Sequence, residues 1–114
     1  MKLLVVDDSP EIVEILSFSM ELSGYGVDGA NDGIEAVERL QNNSYDVVIT
    51  DLLMADLNGA SAAAIMKMHG NATPVIALTG VSPEDTVLLK DNFTKIFHKP
   101  VNNKELFEYV SSLV

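Results

Sequence analysis

A chain of 114 residues is the size of one domain and too short for two. Its composition, 47% hydrophobic and 21% charged, is that of a folded globular protein, and no apolar run approaches the ~20 residues that a membrane span needs. The formal charge of −10 argues against direct nucleic-acid binding and for protein partners or divalent cations, while the absence of Cys removes disulfides and thiolate metal sites and suits the cytoplasm.

Residues 3–6 form an apolar run that stops at Asp7, Asp8, Ser9 and Pro10. Lys2 and this short run are too little for a signal peptide. Ser9 suits an N-cap, Pro10 the first helical position and Glu11 the positive helix start, so a helix is predicted over about residues 10–23. Ile12, Ile15, Leu16 and Leu22 supply its expected buried stripe, and Val13, Phe18 and Met20 widen it. Gly24-Tyr25-Gly26 breaks the helix. Residues 25–28 read as a second strand and Asn31-Asp32-Gly33 as a loop. Asp32 and Glu35 form a capping-box pattern for a helix over 33–40, expected to bury Ile34, Val37 and, at its end, Leu40.

Val47, Val48 and Ile49 form a β-branched run with no alternation, which suits a parallel strand covered on both faces, although periodicity alone also admits a buried helix. Asp51 then falls at the strand's carboxyl end, the edge where open α/β sheets bind ligands. Asn58 and Gly59 open an Ala-rich helix that runs to His69 and closes at Gly70. Residues 75–78 are a fourth strand ending in Thr79-Gly80, and Ser82-Pro83-Glu84 starts a short helix to about residue 91. Residues 94–98 are a fifth strand ending in Lys99-Pro100. Asn102 with Glu105 caps a last helix, with Leu106, Tyr109, Val110 and Leu113 at helical spacing.

Five strands alternating with five helices specify a single α/β domain over residues 1–114, a doubly wound parallel sheet with helices on both faces. Four strand ends carry polar groups able to act together: Asp7 and Asp8, Asp51, Thr79, and Lys99. The second strand has none, which suggests the flavodoxin-like order 2-1-3-4-5, with a crevice where the chain reverses between strands 1 and 3. Carboxylates gathered there repel, since two charges ~4 Å apart cost about 4 kcal/mol at an effective dielectric of ~20. One Lys cannot neutralise three acids, and hard oxygen ligands without His or Cys suit Mg²⁺. A screened Asp51 keeps an oxygen able to attack phosphorus, with Thr79 and Lys99 placed to bind phosphoryl oxygens as donor and cation.

The chain resembles the receiver domain of bacterial two-component response regulators over essentially its whole length. The resemblance rests on the apolar run into Asp7-Asp8, the DLLM segment from Asp51 with Gly59 eight residues on, PVIALTG ending at Thr79-Gly80, and Lys99-Pro100. It implies Asp51 as phosphoacceptor, Mg²⁺ held by Asp7, Asp8, Asp51 and the backbone carbonyl of Leu53, phosphoryl contacts from Thr79 and Lys99, and a cis Lys99-Pro100 bond. The implied partners are a sensor histidine kinase or phosphotransfer protein upstream and a downstream protein or output domain, with no membrane contact and a homodimer left open. It also implies signalling rather than turnover of an external substrate, the only chemistry being the domain's own Asp phosphorylation and dephosphorylation. No effector segment follows Val114, leaving open whether the domain signals alone or within a longer protein.

Two positions depart from the family pattern: Ala55 replaces the usual Pro, and Ile96 the usual Tyr or Phe three residues before Lys99. Phe97 points to the opposite face from Ile96, so an output signal would rely on backbone movement around residues 79–82. Other readings compete with phosphorylation. One is a phosphorylation-independent receiver-like interaction module. An aspartyl-phosphate hydrolase normally wants a second acid two residues after the nucleophile, where Leu53 stands, and a flavin site wants a Ser/Thr-rich phosphate loop after the first strand. His98 and His69 read as a strand end and a helix end, and Met54, Met66 and Met68 as core filler. Leu53 and Val81, two residues after Asp51 and Thr79, are both apolar and cannot orient an attacking water, so the phosphoryl group should decay slowly. Leu53→Asn should shorten its lifetime in a phosphate-release assay; fast decay in the unaltered protein that this substitution leaves unchanged would count against the reading.

Overall fold

Residues 1–51, 73–80 and 93–113 are described in the computed structural model. Their elements are β1 (Lys2–Val6), α1 (Pro10–Leu22), β2 (Gly26–Ala30), α2 (Gly33–Asn42), β3 (Val47–Asp51), β4 (Val75–Thr79), β5 (Lys95–His98) and α3 (Asn103–Ser112). The five strands form one parallel sheet in the order β2-β1-β3-β4-β5, as the distribution of polar strand ends predicted. The helices expected over 58–70 and 82–91 lie outside the described residues, as do Ala55, Val81, His69 and the three methionines from Met54 to Met68.

Alternate residues of the central strands feed two apolar clusters, one on each side of the sheet, which is why these runs show no alternation in sequence. Leu4, Val6, Val48, Val75 and Ala77 pack on one side with Ala30, Ala36, Tyr45 and Phe93. Leu3, Val5, Val47, Ile49, Ile76 and Leu78 pack on the other with Leu16 and Met20 of α1 and Leu106 and Val110 of α3. Ile96 joins the first cluster and Phe97 the second, where its ring meets Tyr109 edge-on at 5.9 Å, so the two neighbours do face opposite ways.

The caps form as their residues dictate. Ser9 Oγ accepts from the Ile12 N–H, Asp32 Oδ1 from the Glu35 N–H at 2.7 Å, and Asn102 Oδ1 from both Lys104 and Glu105. Glu35 reaches back to the Asn31 N–H at 3.3 Å, closing the reciprocal pattern one residue before the cap. Gly24, after the end of α1, has φ +91°, a left-handed conformation that glycine adopts without steric cost.

The buried face of α1 corrects the expected one. Leu16 and Met20 are buried, whereas Ile12, Ile15, Phe18 and Leu22 are exposed. The helix is apolar around most of its circumference, so periodicity did not choose a face. Close packing on the sheet did: a Cβ at Gly29 would lie 2.5 Å from Val13 Cγ1, so β2 admits α1 only where it lacks a side chain. In α2, likewise, Gly33 and Ala36 are buried, Val37 and Leu40 half-buried and Ile34 exposed.

Away from the carboxyl edge, the Tyr45 hydroxyl donates to Asp28 Oδ2 at 2.7 Å, and Lys2 Nζ lies 3.3 Å from the same oxygen and 5.2 Å from the Tyr45 ring centre. The Tyr45 bond, with Lys2 beside it, holds the Asp28 carboxyl below its ordinary range. Burial, followed by the bond to Asp28, pushes the Tyr45 hydroxyl up to about 12. A raised value means stability present below the ordinary tyrosine value of 10.0 and lost as pH rises through about 12. Tyr45→Phe should therefore cost about 1–2 kcal/mol in urea unfolding at neutral pH, the worth of a hydrogen bond to a charged group, and should show less alkaline loss between these values. An unchanged urea midpoint would contradict the assignment.

Candidate functional site

β1, β3, β4 and β5 end side by side at one sheet edge, and each delivers a polar residue there because its apolar run stops at the sheet's limit. Asp7 follows β1 directly, its N–H donating to the Ala30 carbonyl at 3.1 Å, and its side chain is 3% exposed. Asp7 Oδ1 also accepts from the Ser9 N–H at 2.9 Å, so the same carboxyl fixes the turn that starts α1. The sequence marked Asp7 as an acid but not as the holder of this turn. A carboxylate two residues before a Pro-initiated helix is the signal that could have found it.

Asp51 closes β3 and is 7% exposed, while Asp8 lies open to solvent. One oxygen from each of Asp7, Asp8 and Asp51 lies within 4.8 Å of the others. Lys99 Nζ donates to Asp51 Oδ2 at 3.0 Å, and the Lys99 N–H donates to the Thr79 carbonyl at 2.6 Å. Thr79 is fully buried, one residue beyond Leu78, the register partner of Asp51. The edge thus brings together Asp7, Asp8, Asp51, Thr79 and Lys99. Leu53, whose carbonyl the family resemblance adds to the metal ligands, lies outside the described residues. The Lys99-Pro100 bond is cis. His98, in register with Thr79, is half-buried rather than fully solvated.

Charge at this edge is only partly balanced. Burial pushes the Asp7 carboxyl above its ordinary value, and the charge of Asp51 and the neighbouring Asp8 add to that rise, against the opposing pull of the Ser9 N–H and Lys99. Carboxylate oxygens from three residues, with no His, Cys or Met among them, form a hard donor set that fits a small divalent cation such as Mg²⁺.

The sequence matches the response regulator receiver domain over residues 3–111. The chain belongs to this family. It is 37% identical to the transcriptional regulatory protein CpxR homolog of Haemophilus influenzae, across 99% of this chain and 50% of that protein. To the alkaline phosphatase synthesis transcriptional regulatory protein PhoP of Bacillus subtilis it is 30% identical, across 99% and 48%. The chain therefore spans about half the length of these two relatives. Its fold superposes on the receiver domain of Francisella response regulator 1452 with a TM-score of 0.92, at 32% identity over 98% of this chain and 94% of that one. The Thermotoga maritima response regulator TrrA, solved in complex with Mg²⁺-BeF, gives 0.90 at 32% identity over 99% and 98%. Receiver domains are signalling modules of two-component systems, not enzymes acting on an external substrate. Among the described residues, no helix of this receiver is long and apolar enough to cross a membrane.

The raised Asp7 value has a measurable sign. With no divalent cation, the contribution of this carboxyl to stability is fully present below its ordinary value of 3.8 and is lost as pH rises through the raised one. At neutral pH in chelator, Asp7→Asn should raise the urea midpoint by an amount worth about 1 kcal/mol, since it removes a buried like charge while its amide oxygen can still accept from Ser9. The same substitution should shrink the rise in Tm that Mg²⁺ gives the unaltered domain. A destabilised variant with an undiminished Mg²⁺ response would refute the charge argument.

Proposed function

We propose that Asp51 accepts a phosphoryl group from the phosphohistidine of a sensor kinase or phosphotransfer protein, and that the resulting change is relayed to a downstream protein or output domain. The observation that carries this reading is the gathering of Asp7, Asp8 and Asp51 within 4.8 Å, with the Lys99 ammonium on Asp51. Asp7, Asp8 and Asp51, with the Leu53 carbonyl, would hold Mg²⁺. The ion would neutralise the carboxylates and the charge that builds on the transferred group.

The chain's own residues supply the positioning. An Asp51 oxygen forms the new O–P bond as the N–P bond of phosphohistidine breaks, and the imidazole leaves with the electron pair. Asp51 ends a strand buried on both faces, so its backbone is held, and its carboxyl is engaged by the Lys99 ammonium at 3.0 Å. Lys99 offers its ammonium to a phosphoryl oxygen in exchange for Asp51 Oδ2, and the Thr79 hydroxyl is a second donor at the same edge. Self-catalysed loss of the group would use the same edge, and a cytoplasmic site of action follows from the kind of partner.

Incubation with Mg²⁺ and acetyl phosphate, followed by mass spectrometry of the intact chain, tests the proposal. One phosphoryl group should appear on the unaltered protein and none on Asp51→Asn. Lys99→Ala should cut the labelling rate by an order of magnitude or more, the loss of one charge-stabilising donor. Equal labelling of the Asp51→Asn variant would reject the assignment, and no labelling with no Mg²⁺ binding would favour the phosphorylation-independent module.

A further inference from the structure

We propose that Gly29 of β2 is a positioning residue for the acidic edge: by offering no side chain it sets how closely the first turn of α1 seats, and so where Asp7 and Asp8 stand for a divalent cation. This placing matters on the proposed function above, in which the same acids hold Mg²⁺. Gly29 has no conformational need to be glycine. Among the described residues only Gly24 has a left-handed φ, and Gly29 pairs in register with Val5 inside a regular parallel ladder. What Gly29 supplies is space, because a Cβ there would stand 2.5 Å from Val13 Cγ1.

Val13 cannot readily step aside. A β-branched side chain in a helix has one strongly preferred rotamer, so a methyl group on β2 would push the helix and not only the Val13 side chain. Leu16 and Met20 anchor α1 in the core farther along, so the push tips its front end. That end carries the acids. The Val13 N–H closes the first turn of α1 on the Ser9 carbonyl at 3.2 Å, and the Ser9 N–H donates in turn to Asp7 Oδ1 at 2.9 Å. Asp8 lies between these two anchors, exposed, with an oxygen within 4.8 Å of those of Asp7 and Asp51. The residue after Gly29 is tied to the same place, since the Ala30 carbonyl accepts from the Asp7 N–H at 3.1 Å. Gly29 therefore reaches the acids through Val13 and Ser9 on the helix side and through Ala30 on the strand side.

Gly29→Ala in the whole chain separates placing from stability. By calorimetric titration its Mg²⁺ dissociation constant should rise about tenfold, the scale of disturbing a residue that orients metal ligands. In chelator, amide hydrogen exchange at Ser9 and Val13 should quicken. The same change in a Val13→Ala background should move neither quantity, because the methyl group that Gly29 makes room for is gone. A merely structural role would lower Tm and leave the Mg²⁺ constant of the folded chain where it was, and that result would overturn the proposal. So would a weakened affinity that persists in the Val13→Ala background. An unaltered chain that bound no Mg²⁺ would defeat the proposed function instead, whereas unchanged exchange at Ser9 in Gly29→Ala would defeat the seating role whatever the cation does.

Discussion

Repulsion among acids at one sheet edge is the constraint around which this receiver domain is built. Two charges 4.8 Å apart cost about 3 kcal/mol at an effective dielectric of ~20, and three carboxylates of the domain have oxygens no farther apart than that. Asp7 and Asp51 cannot relieve the strain by swinging into water, because both are almost wholly buried. The two apolar clusters hold them there: β1 and β3 each place alternate residues in both, so neither strand can slip without emptying one side of the core. Lys99 offsets part of the repulsion and leaves the remainder for a divalent ion. The site is thus paid for by the core, and its oxygen donors fit a divalent cation.

Lys99 also joins strands that do not touch in the sheet. Its ammonium reaches Asp51 at the end of β3, while its N–H is bonded to the Thr79 carbonyl at the end of β4. β4 lies between β3 and β5, so one residue spans three strand ends. A change of charge or bulk on Asp51 would meet the Lys99 side chain first, and Lys99 is tied through its backbone bond to Thr79. Ile96 is compatible with such a route: it packs with the cluster on the Thr79 side of the sheet, while Phe97 is engaged with Tyr109 on the other.

The strand order and the site were legible for a common reason. In a parallel sheet with both faces covered, runs such as residues 3–6, 47–49 and 75–78 are continuous, and a polar residue at the carboxyl edge follows each, directly after the first and last and after the buried Thr50 in β3. Asp7, Asp51, Thr79 and Lys99 could therefore be placed together without knowing any side-chain contact. The face of α1 was not legible, because Ile12, Val13, Ile15, Leu16, Phe18, Met20 and Leu22 are apolar on nearly every side, and a bare glycine on β2 decided the matter. The Asp28–Tyr45 bond was equally hidden. The two residues lie 17 apart, and their meeting depends on the order that puts β1 between β2 and β3.

The exposed row on α1 follows from that same glycine. With Val13 against Gly29 and Leu16 and Met20 in the second cluster, the rotation of the helix is fixed, and Ile15, Phe18 and Leu22 must point outward. Turning the helix to bury them would lift Leu16 and Met20 out of the core and drive larger side chains onto β2. The fold thus has no use for these outer residues and no means of hiding them.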